Sequence, residues 1–198
     1  MISLEYLQIM VFIAIMYASN GMPPIVARIL RSRGSQLHRI DFGASFLDGK
    51  PLFGKNKTWE GLLSGIIAGS SVGIAFWLVW PELISVIEIV VISLGAMLGD
   101  LTGSFIKRRI GLKEGDCFII MDQTGFLAGG LILDAMLIGI KVWMKNLLIL
   151  TILFTITFIA HITSNQAYSK AVRGIDDSCW SFLCNILRGR YYEKDQEC

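Results

Sequence analysis

The stretch Gly61-Leu-Leu-Ser-Gly-Ile-Ile-Ala-Gly-Ser-Ser-Val-Gly-Ile-Ala-Phe-Trp-Leu-Val-Trp80 contains no charged residue. About 20 helical residues cross a bilayer core of roughly 30 Å, so this stretch predicts a transmembrane helix. Blocks of similar apolar character at 2–20, 60–80, 84–106, 119–143 and 147–168 predict five spans. With 54% hydrophobic residues among 198, they predict an all-α integral membrane protein, a bundle of five transmembrane helices without a separate soluble domain.

The composition of the first apolar block predicts a retained helix and not a cleaved signal peptide. Glu5 is its only charge, there is no basic segment before it, and no clear small-residue cleavage site precedes Gly21. Because proline disrupts helices, we expect this helix to end at Met22-Pro23-Pro24.

Glycine recurs at every fourth position in three of the spans. Small residues at this spacing let helices approach closely in lipid, which favours a compact bundle. Dimerisation through span two is another use of the same face. The residues are Gly61, Gly65, Gly69, Gly73, Gly95, Gly99, Gly103, Gly125 and Gly129.

The basic residues predict the orientation of the chain. All Lys and Arg residues except Lys141 and Lys145 fall in the loops at 25–58 and 107–118 or after the fifth span. Since basic loops stay cytoplasmic, we expect the N-terminus outside and the C-terminus in the cytoplasm. One transmembrane domain is predicted over 1–174. The tail at 175–198 suits a short interfacial helix, with a disordered end as the alternative.

Polar residues from all five spans fall at a similar depth near the cytoplasmic edge. Buried polar groups are costly in a membrane, so their convergence predicts a functional site. The set comprises Asn20, Thr58, Glu60, Asp100, Asp122, Gln123, His161 and Asn165.

Two segments that contribute residues to this set have the chemistry of a phosphate site. Asp100, Ser104 and Lys107 share one helix face, which suits Mg²⁺ below a phosphate-binding cation. The alternative is that Lys107 and the arginines after it extend to lipid headgroups. Before span two, Lys55 and Lys57 precede a helix start that Thr58 can cap and whose first turn suits Glu60.

These motifs together resemble the CDP-archaeol synthases, archaeal relatives of the CDP-diacylglycerol synthases (phosphatidate cytidylyltransferases). The resemblance covers about 20–173. It is carried by Ile40-Asp-Phe-Gly43, Asp48-Gly49, Lys57-Thr-Trp-Glu-Gly61, Gly99-Asp100 with Ser104 and Lys107-Arg-Arg109, Asp122-Gln123, and His161-x-x-x-Asn165 followed by Ala167-Tyr168.

The resemblance implies a multi-pass enzyme of the cell membrane with its active site on the cytoplasmic side and no nucleic-acid partner. It would use CTP and Mg²⁺ to convert 2,3-di-O-geranylgeranylglyceryl phosphate into a CDP-activated lipid and pyrophosphate. Asp100 and Asp122 would hold Mg²⁺. Catalytic and substrate-binding contacts would come from Lys57, Lys107, Arg108, Lys55, Thr58, Glu60, Ser104, Gln123, Asn20, His161 and Asn165.

Two features depart from the broader cytidylyltransferase signature. The proline expected in the preceding turn is missing from Asp116-Cys117-Phe118-Ile119-Ile120. Gly125 stands where a second carboxylate would follow Asp122. This change predicts either a weaker second Mg²⁺ site or a ligand borrowed from Asp116.

Three alternatives to this function stay open at the level of the sequence. The chain could act on phosphatidate, or serve as a catalytically silent scaffold, which Gly125 favours. It could also be a small transporter that relays ions through Glu88 and Asp134, unless these two residues pair with each other or reach the outer interface.

Overall fold

The structure is a computed structural model that describes residues 4–112 and 119–173, with side chains in the second range for 121–122 and 124–160. This part of the chain is helical, with two isolated β-bridges in the loop before α2 and no strand. The all-α prediction is therefore confirmed for it. The helices are α1 Leu4–Ser32, α2 Trp59–Val79, α3 Val86–Arg109, α4 Ile119–Leu137 and α5 Leu147–Arg173. Asp116 and the predicted tail at 175–198 lie outside the described residues.

Three of these helices have the length and hydropathy to cross a membrane: α1, α2 and α3. Within α4 and α5, the apolar segments Thr124–Leu137 and Leu147–Ala160 are shorter. Large apolar side chains point outward from α2, α3 and α5, among them Ile67, Leu98 and Ile156. A bundle with an apolar exterior of this kind requires lipid around it.

The predicted end of the first helix at Met22-Pro23-Pro24 is wrong, since α1 continues through both prolines to Ser32. Each proline lacks the N–H that would donate to the carbonyl four residues earlier, which for Pro23 is the carbonyl of Ser19. Packed neighbours make such losses tolerable in membrane helices. The Ser19 carbonyl lies against Gly65 of α2, where an added Cβ would come within 2.7 Å of it. The loop before α2 therefore begins at 33 rather than 25.

The predicted fourth span at 119–143 is also too long. The chain leaves the helix after Leu137, and Gly139 has φ +125°, a conformation that favours glycine. The N–H groups of Ile138 and Gly139 both donate to the carbonyl of Asp134, which closes the helix end. A short 3-10 turn over Trp143–Lys145 follows and precedes α5.

Close packing of glycines holds the bundle together. The glycines of α2 are buried against α1 and α3, while Gly95 and Gly99 of α3 meet Gly125 and Gly129 of α4. The apolar core lies between these helices; Phe12, Ile15, Ile92 and Leu127 are at most 1% exposed. The compact bundle is as predicted. A dimer through the glycine face of α2 would have to displace α1 and α3 from it.

The bundle has two distinct ends. At one, here called the loop end, α1 and α3 finish, α2 and α4 start, and the 33–58 loop covers α2 and α3. At the other, the far end, the turn at 80–85 and residues 138–146 connect the helices. The charged residues of the predicted site gather at the loop end.

Candidate active site

The start of α2 is held by the residues that the sequence singled out. Thr58 caps the helix: its Oγ1 accepts the N–H of Gly61 at 3.2 Å, which confirms the predicted cap. Glu60 turns to the loop instead of the interior. Its carboxylate accepts the N–H of His38 at 3.1 Å and contacts His38 Nδ1 at 2.6 Å. The backbones of His38 and Ile40 also pair with Trp59 and Lys57, so the loop and the helix start form one unit.

Lys57 extends from this unit across to α3. Its Nζ lies 2.5 Å from Oδ2 of Asp100. Both side chains border a small open cavity at the loop end. The cavity combines a charged wall with an apolar one; its lining residues are Pro23, Ile40, Asn56, Lys57, Thr58, Gly61, Leu62, Met97, Asp100 and Leu101.

A second ion pair links α3 to α4. Lys107 Nζ lies 2.6 Å from Oδ1 of Asp122, with both side chains mostly buried. Gly99 faces Gly125 and Gly103 faces Met121, so Asp122 sits opposite residue 102 of α3. At a rise of about 1.5 Å per residue, the backbone positions of Asp100 and Asp122 are about 3 Å apart in level. The two predicted metal ligands therefore reach the same end and nearly the same depth.

Lys107 and Arg108 point inward, against the alternative that they extend to headgroups. Lys107 pairs with Asp122, and Arg108 is only 6% exposed. Arg108 Nε is buried without a hydrogen-bond partner in the described part of the chain. A buried guanidinium of this kind is suited to an anion. Ser104, also 6% exposed, lies one turn from both Asp100 and Arg108.

Arg109 contacts the loop before α2, unlike Lys107 and Arg108. Its Nη1 contacts Oδ1 of Asp48 at 2.5 Å, and its guanidinium lies 4.9 Å from the ring centroids of both Phe46 and Phe105. In return, Lys50 Nζ donates to the Arg109 carbonyl at 2.9 Å. These contacts fasten the loop to the end of α3.

Asp41 organises the loop from within. Its carboxylate accepts the N–H groups of Gly43, Phe53 and Gly54 at 2.9–3.1 Å. Burial alone would raise the pKa of Asp41, but these bonds to the charged form outweigh it and lower the pKa below its ordinary value. Because Lys57 N–H donates to the Gly54 carbonyl, the fold around Asp41 also sets where Lys57 begins.

The remaining predicted residues are placed less fully. Lys55 is exposed on the loop, and Asn20 is half-buried on α1 beside Ser19. Gln123 lies on α4, and His161 and Asn165 lie on α5, but their side chains fall outside the described part of the structure. Among the described residues there is no cluster of three or more His, Cys, Asp or Glu side chains suited to hold a metal.

Sequence reasoning gave no role to His38, Asp41, Asp48 or Arg109. Asp41 and Asp48 each precede a glycine with positive φ. Asp before Gly or one residue from it is a common signal for a structured turn. That signal was available in Asp48-Gly49 and in Asp41-Phe-Gly43, whereas the pairing of His38 with Glu60 depends on a contact between distant positions.

Glu88 and Asp134 lie at the far end of the bundle, away from Asp100. Lys141 contacts the Glu88 carboxylate directly, and its Nζ is 4.0 Å from Oδ2 of Asp134. The two carboxylates thus share a cation, and the structure brings neither of them to the loop end.

Most of the chain is similar to known proteins of one family. A family model described as CDP-archaeol synthase, CarS-like, matches residues 6–180. The CDP-archaeol synthase of Thermofilum pendens is 38% identical over 164 residues, 83% of this chain and 76% of the relative. That of Staphylothermus marinus is 39% identical over 166 residues, 80% and 89% of the two chains.

A solved structure has the same fold. It belongs to an intramembrane enzyme for archaeal membrane lipid biosynthesis and superposes with a TM-score of 0.69 at 27% identity. The superposition covers 80% of this chain and 93% of the solved one.

Proposed function

The chain belongs to the CDP-archaeol synthase family, and on that premise we propose that its Lys57–Asp100 and Lys107–Asp122 pairs form one pocket for CTP and Mg²⁺. The protein is a membrane-embedded cytidylyltransferase of archaeal lipid biosynthesis. One observation carries the proposal: two carboxylates on facing helices, each paired with a lysine, lie at nearly one level at the loop end, and one of the pairs borders an open cavity.

The reaction needs charge to be neutralised more than it needs a strong base. A phosphate oxygen of 2,3-di-O-geranylgeranylglyceryl phosphate forms a bond to the α-phosphorus of CTP, and the bond to pyrophosphate breaks. The attacking oxygen is already anionic, so catalysis rests on alignment and on cations around the triphosphate. Lys57, Lys107 and the buried Arg108 supply three such cations. The apolar side of the cavity, including Leu62 and Leu101, would receive the start of the lipid chain.

The donor set fits Mg²⁺. This ion is usually bound by one or two carboxylates together with substrate phosphates and water. Asp100 and Asp122 supply the carboxylates, and no further protein ligand is required. When bound, the ion would neutralise charge on the triphosphate and orient it.

Each proposed metal ligand has its own lysine, which suggests how the pocket handles charge. An unpaired carboxylate in a membrane bundle is costly, and Lys57 and Lys107 offset that cost for Asp100 and Asp122. When the substrates enter, the carboxylates would turn to the metal and the lysines to phosphate oxygens. The ion pairs are therefore exchanged for new ones without leaving a buried charge alone.

The other predicted residues take supporting roles in this proposal. Thr58 and Glu60 hold the helix start and the loop, which keeps Lys57 in position. Ser104 lies between Asp100 and Arg108 on α3 and can donate to a substrate oxygen. Lys55, Asn20, Gln123, His161 and Asn165 would complete the pocket around the nucleotide.

We also propose the membrane arrangement. Five spans would cross the bilayer, with the N-terminus outside and the loop end in the cytoplasm, because nearly all basic residues lie at that end. Residues 1–174 would form the single catalytic domain and 175–198 a cytoplasmic tail. CTP is cytoplasmic, so this orientation gives the pocket its nucleotide directly.

Release of pyrophosphate tests the proposal. The purified protein with CTP, Mg²⁺ and the ether-lipid phosphate should release pyrophosphate and form a CDP-lipid. Asp100→Asn and Asp122→Asn should each lower the rate by several orders of magnitude. Glu82 is an exposed carboxylate in the turn at the far end. Glu82→Gln is the matched control and should keep the rate of the unchanged protein.

Two results would contradict the pocket. Full activity of either Asp variant would remove that residue from the site, and equal losses in the Glu82 variant would show a general effect of charge. Running the same assay with phosphatidate decides between ether and ester lipids. Faster turnover of phosphatidate would favour the CDP-diacylglycerol synthase alternative.

A further inference from the structure

The loop before α2 carries a small hairpin with an exposed apolar tip. Residues 44–52 pair through the bridge between Ser45 and Pro51 and through hydrogen bonds from Phe46 N–H to the Lys50 carbonyl and from Leu52 N–H to the Ala44 carbonyl. Its turn ends at Gly49, with φ +74°. Leu47, at the tip, is 97% exposed.

The hairpin is fixed to the last turns of α3. The ring of Phe46 packs edge-on against Phe105, with centroids 5.4 Å apart. Arg109 lies over both rings and holds Asp48 at the tip. The position of Leu47 is thus set by contacts of its neighbours with α3, namely ring packing, a cation–π pair and an ion pair.

The face of α3 that the hairpin covers is the one directed at lipid. Leu94, Leu98 and Thr102 are exposed along it. At 100° per residue, Phe105 and Arg109 fall within the same arc of about 80°. The glycines that contact α4 point elsewhere. Phe46 therefore extends the outward, apolar side of α3 and does not cover its buried side.

The hairpin also lies at the level of a bilayer boundary. Trp59 and Trp80, both about 40% exposed, mark the two ends of α2 about 32 Å apart, close to the roughly 30 Å of a hydrocarbon core. Tryptophan is enriched at such boundaries. Phe105 lies 19 residues after Val86, about 28 Å along α3 from the far end, so Phe46 meets α3 at the boundary on the loop end.

We propose that the 44–52 hairpin is an interfacial anchor that inserts Leu47 into the headgroup–acyl boundary of the bilayer. Its partner is the lipid surface, because the hairpin continues the lipid-directed face of α3 at the depth where that surface lies. The exposure of Leu47 is then removed by lipid, as expected for an apolar tip at this position.

The anchor is linked to the wall of the pocket. After the hairpin, Phe53 and Gly54 donate to Asp41, and the Gly54 carbonyl accepts the N–H of Lys57. The hairpin thus holds the segment that carries Lys57 at the membrane surface. This inference does not depend on the proposed chemistry, because it rests on packing and exposure alone.

Depth-dependent quenching of a fluorophore tests the anchor. Leu47→Cys would be labelled in protein whose native Cys117, Cys179, Cys184 and Cys198 are replaced by Ser, and reconstituted into liposomes. We expect strong quenching by a nitroxide attached to the lipid near its headgroup and little by aqueous iodide. Gln36→Cys, exposed in the same loop but before the hairpin, should show the reverse, with several-fold larger iodide quenching.

A third site calibrates the membrane signal. Leu98→Cys, in the middle of α3 and exposed to lipid, should respond to a nitroxide placed deeper in the acyl chain. Iodide quenching at 47 equal to that at 36 would overturn the proposal, because the tip would then lie in water. Protection of 47 from both quenchers would also overturn it, since protein and not lipid would cover the tip. Unchanged helical circular dichroism verifies the fold of each variant.

Discussion

Replacing Gly99 by Ala should force α3 and α4 apart. A Cβ at this position would lie 2.2 Å from the Gly125 carbonyl oxygen and 2.9 Å from the Gly129 Cα, while ordinary contact begins at 3.4 Å. The helices must therefore separate by about 1.2 Å at this point. Both neighbours are backbone atoms, so no side chain can rotate away to make room.

Two opposing effects determine how much Gly99→Ala changes the free energy of unfolding. Overpacking costs about 1–3 kcal/mol, and a rigid neighbour puts this substitution at the upper end. Alanine returns about 1 kcal/mol through its better helix propensity. We therefore expect Gly99→Ala to lower the free energy of unfolding by about 2 kcal/mol.

Gly130 offers a matched control in α4. A Cβ there would lie 2.3 Å from Met16 Sδ and 2.4 Å from its Cε, whereas the nearest backbone atom, the Ile92 carbonyl oxygen, is 3.6 Å away. The end of a methionine side chain can rotate aside. Gly130→Ala should therefore change stability by less than about 1 kcal/mol, because the gain in helix propensity offsets most of the repacking.

Unfolding of both variants in mixed micelles, followed by circular dichroism, measures the difference. Pyrophosphate release adds a second readout, because a separation of α3 and α4 also pulls Asp122 away from Lys107. Gly99→Ala should lose stability and rate together, and Gly130→Ala should keep both. An equal loss of stability in the two variants would contradict this prediction. A flexible side chain and a rigid backbone would then resist an added Cβ to the same extent.

Two further predictions concern charged groups outside the pocket. Lys141→Met leaves Glu88 and Asp134 buried without their cation and should cost about 3–5 kcal/mol in the same unfolding assay. The double variant that adds Glu88→Gln should recover part of that loss; no recovery would contradict the pairing. The lowered pKa of Asp41 stabilises the fold above its ordinary pKa of 3.8, and this contribution is lost as the pH falls through the lower folded value. Asp41→Asn should therefore unfold with a shallower acid dependence than the unchanged protein, measured by fluorescence against pH, and an identical slope would refute the role of this carboxylate.

The sequence predicts most of the helices because membrane spans are simple to read from apolar length. The predicted ends of α1 and α4 are wrong because the apolar pattern does not show a tertiary contact or the conformation of a single residue. Pro23 and Pro24 do not end α1, since the freed carbonyl of Ser19 packs against Gly65, a contact between positions far apart in the chain. The positive φ of Gly139 ends α4 before the predicted position. Apolar length alone does not indicate this end, because the apolar block continues over 25 residues from 119 to 143.

The structure brings four of the predicted site residues together at the loop end, but in ion pairs that the sequence did not predict. Spacing along α3 predicted that Asp100 and Lys107 share a face, with Mg²⁺ at Asp100 below a phosphate-binding cation at Lys107. In the structure each contacts a different element, since Asp100 meets Lys57 and Lys107 meets Asp122. Helix periodicity gives the direction of a side chain, but its partner depends on how the helices cross.

Gly125 lies where α3 and α4 cross, one turn after Asp122. A Cβ at 125 would lie 3.3 Å from the Gly99 carbonyl oxygen, slightly closer than ordinary contact, so a side chain there requires a small shift of the α3 backbone. Asp122 lies one turn earlier in α4 and reaches Lys107 only while the two helices stay close. A carboxylate at 125 would therefore place a second charge near Asp122 together with a small separation of α3 and α4. Glycine at 125 keeps the close crossing in which Asp122 reaches Lys107.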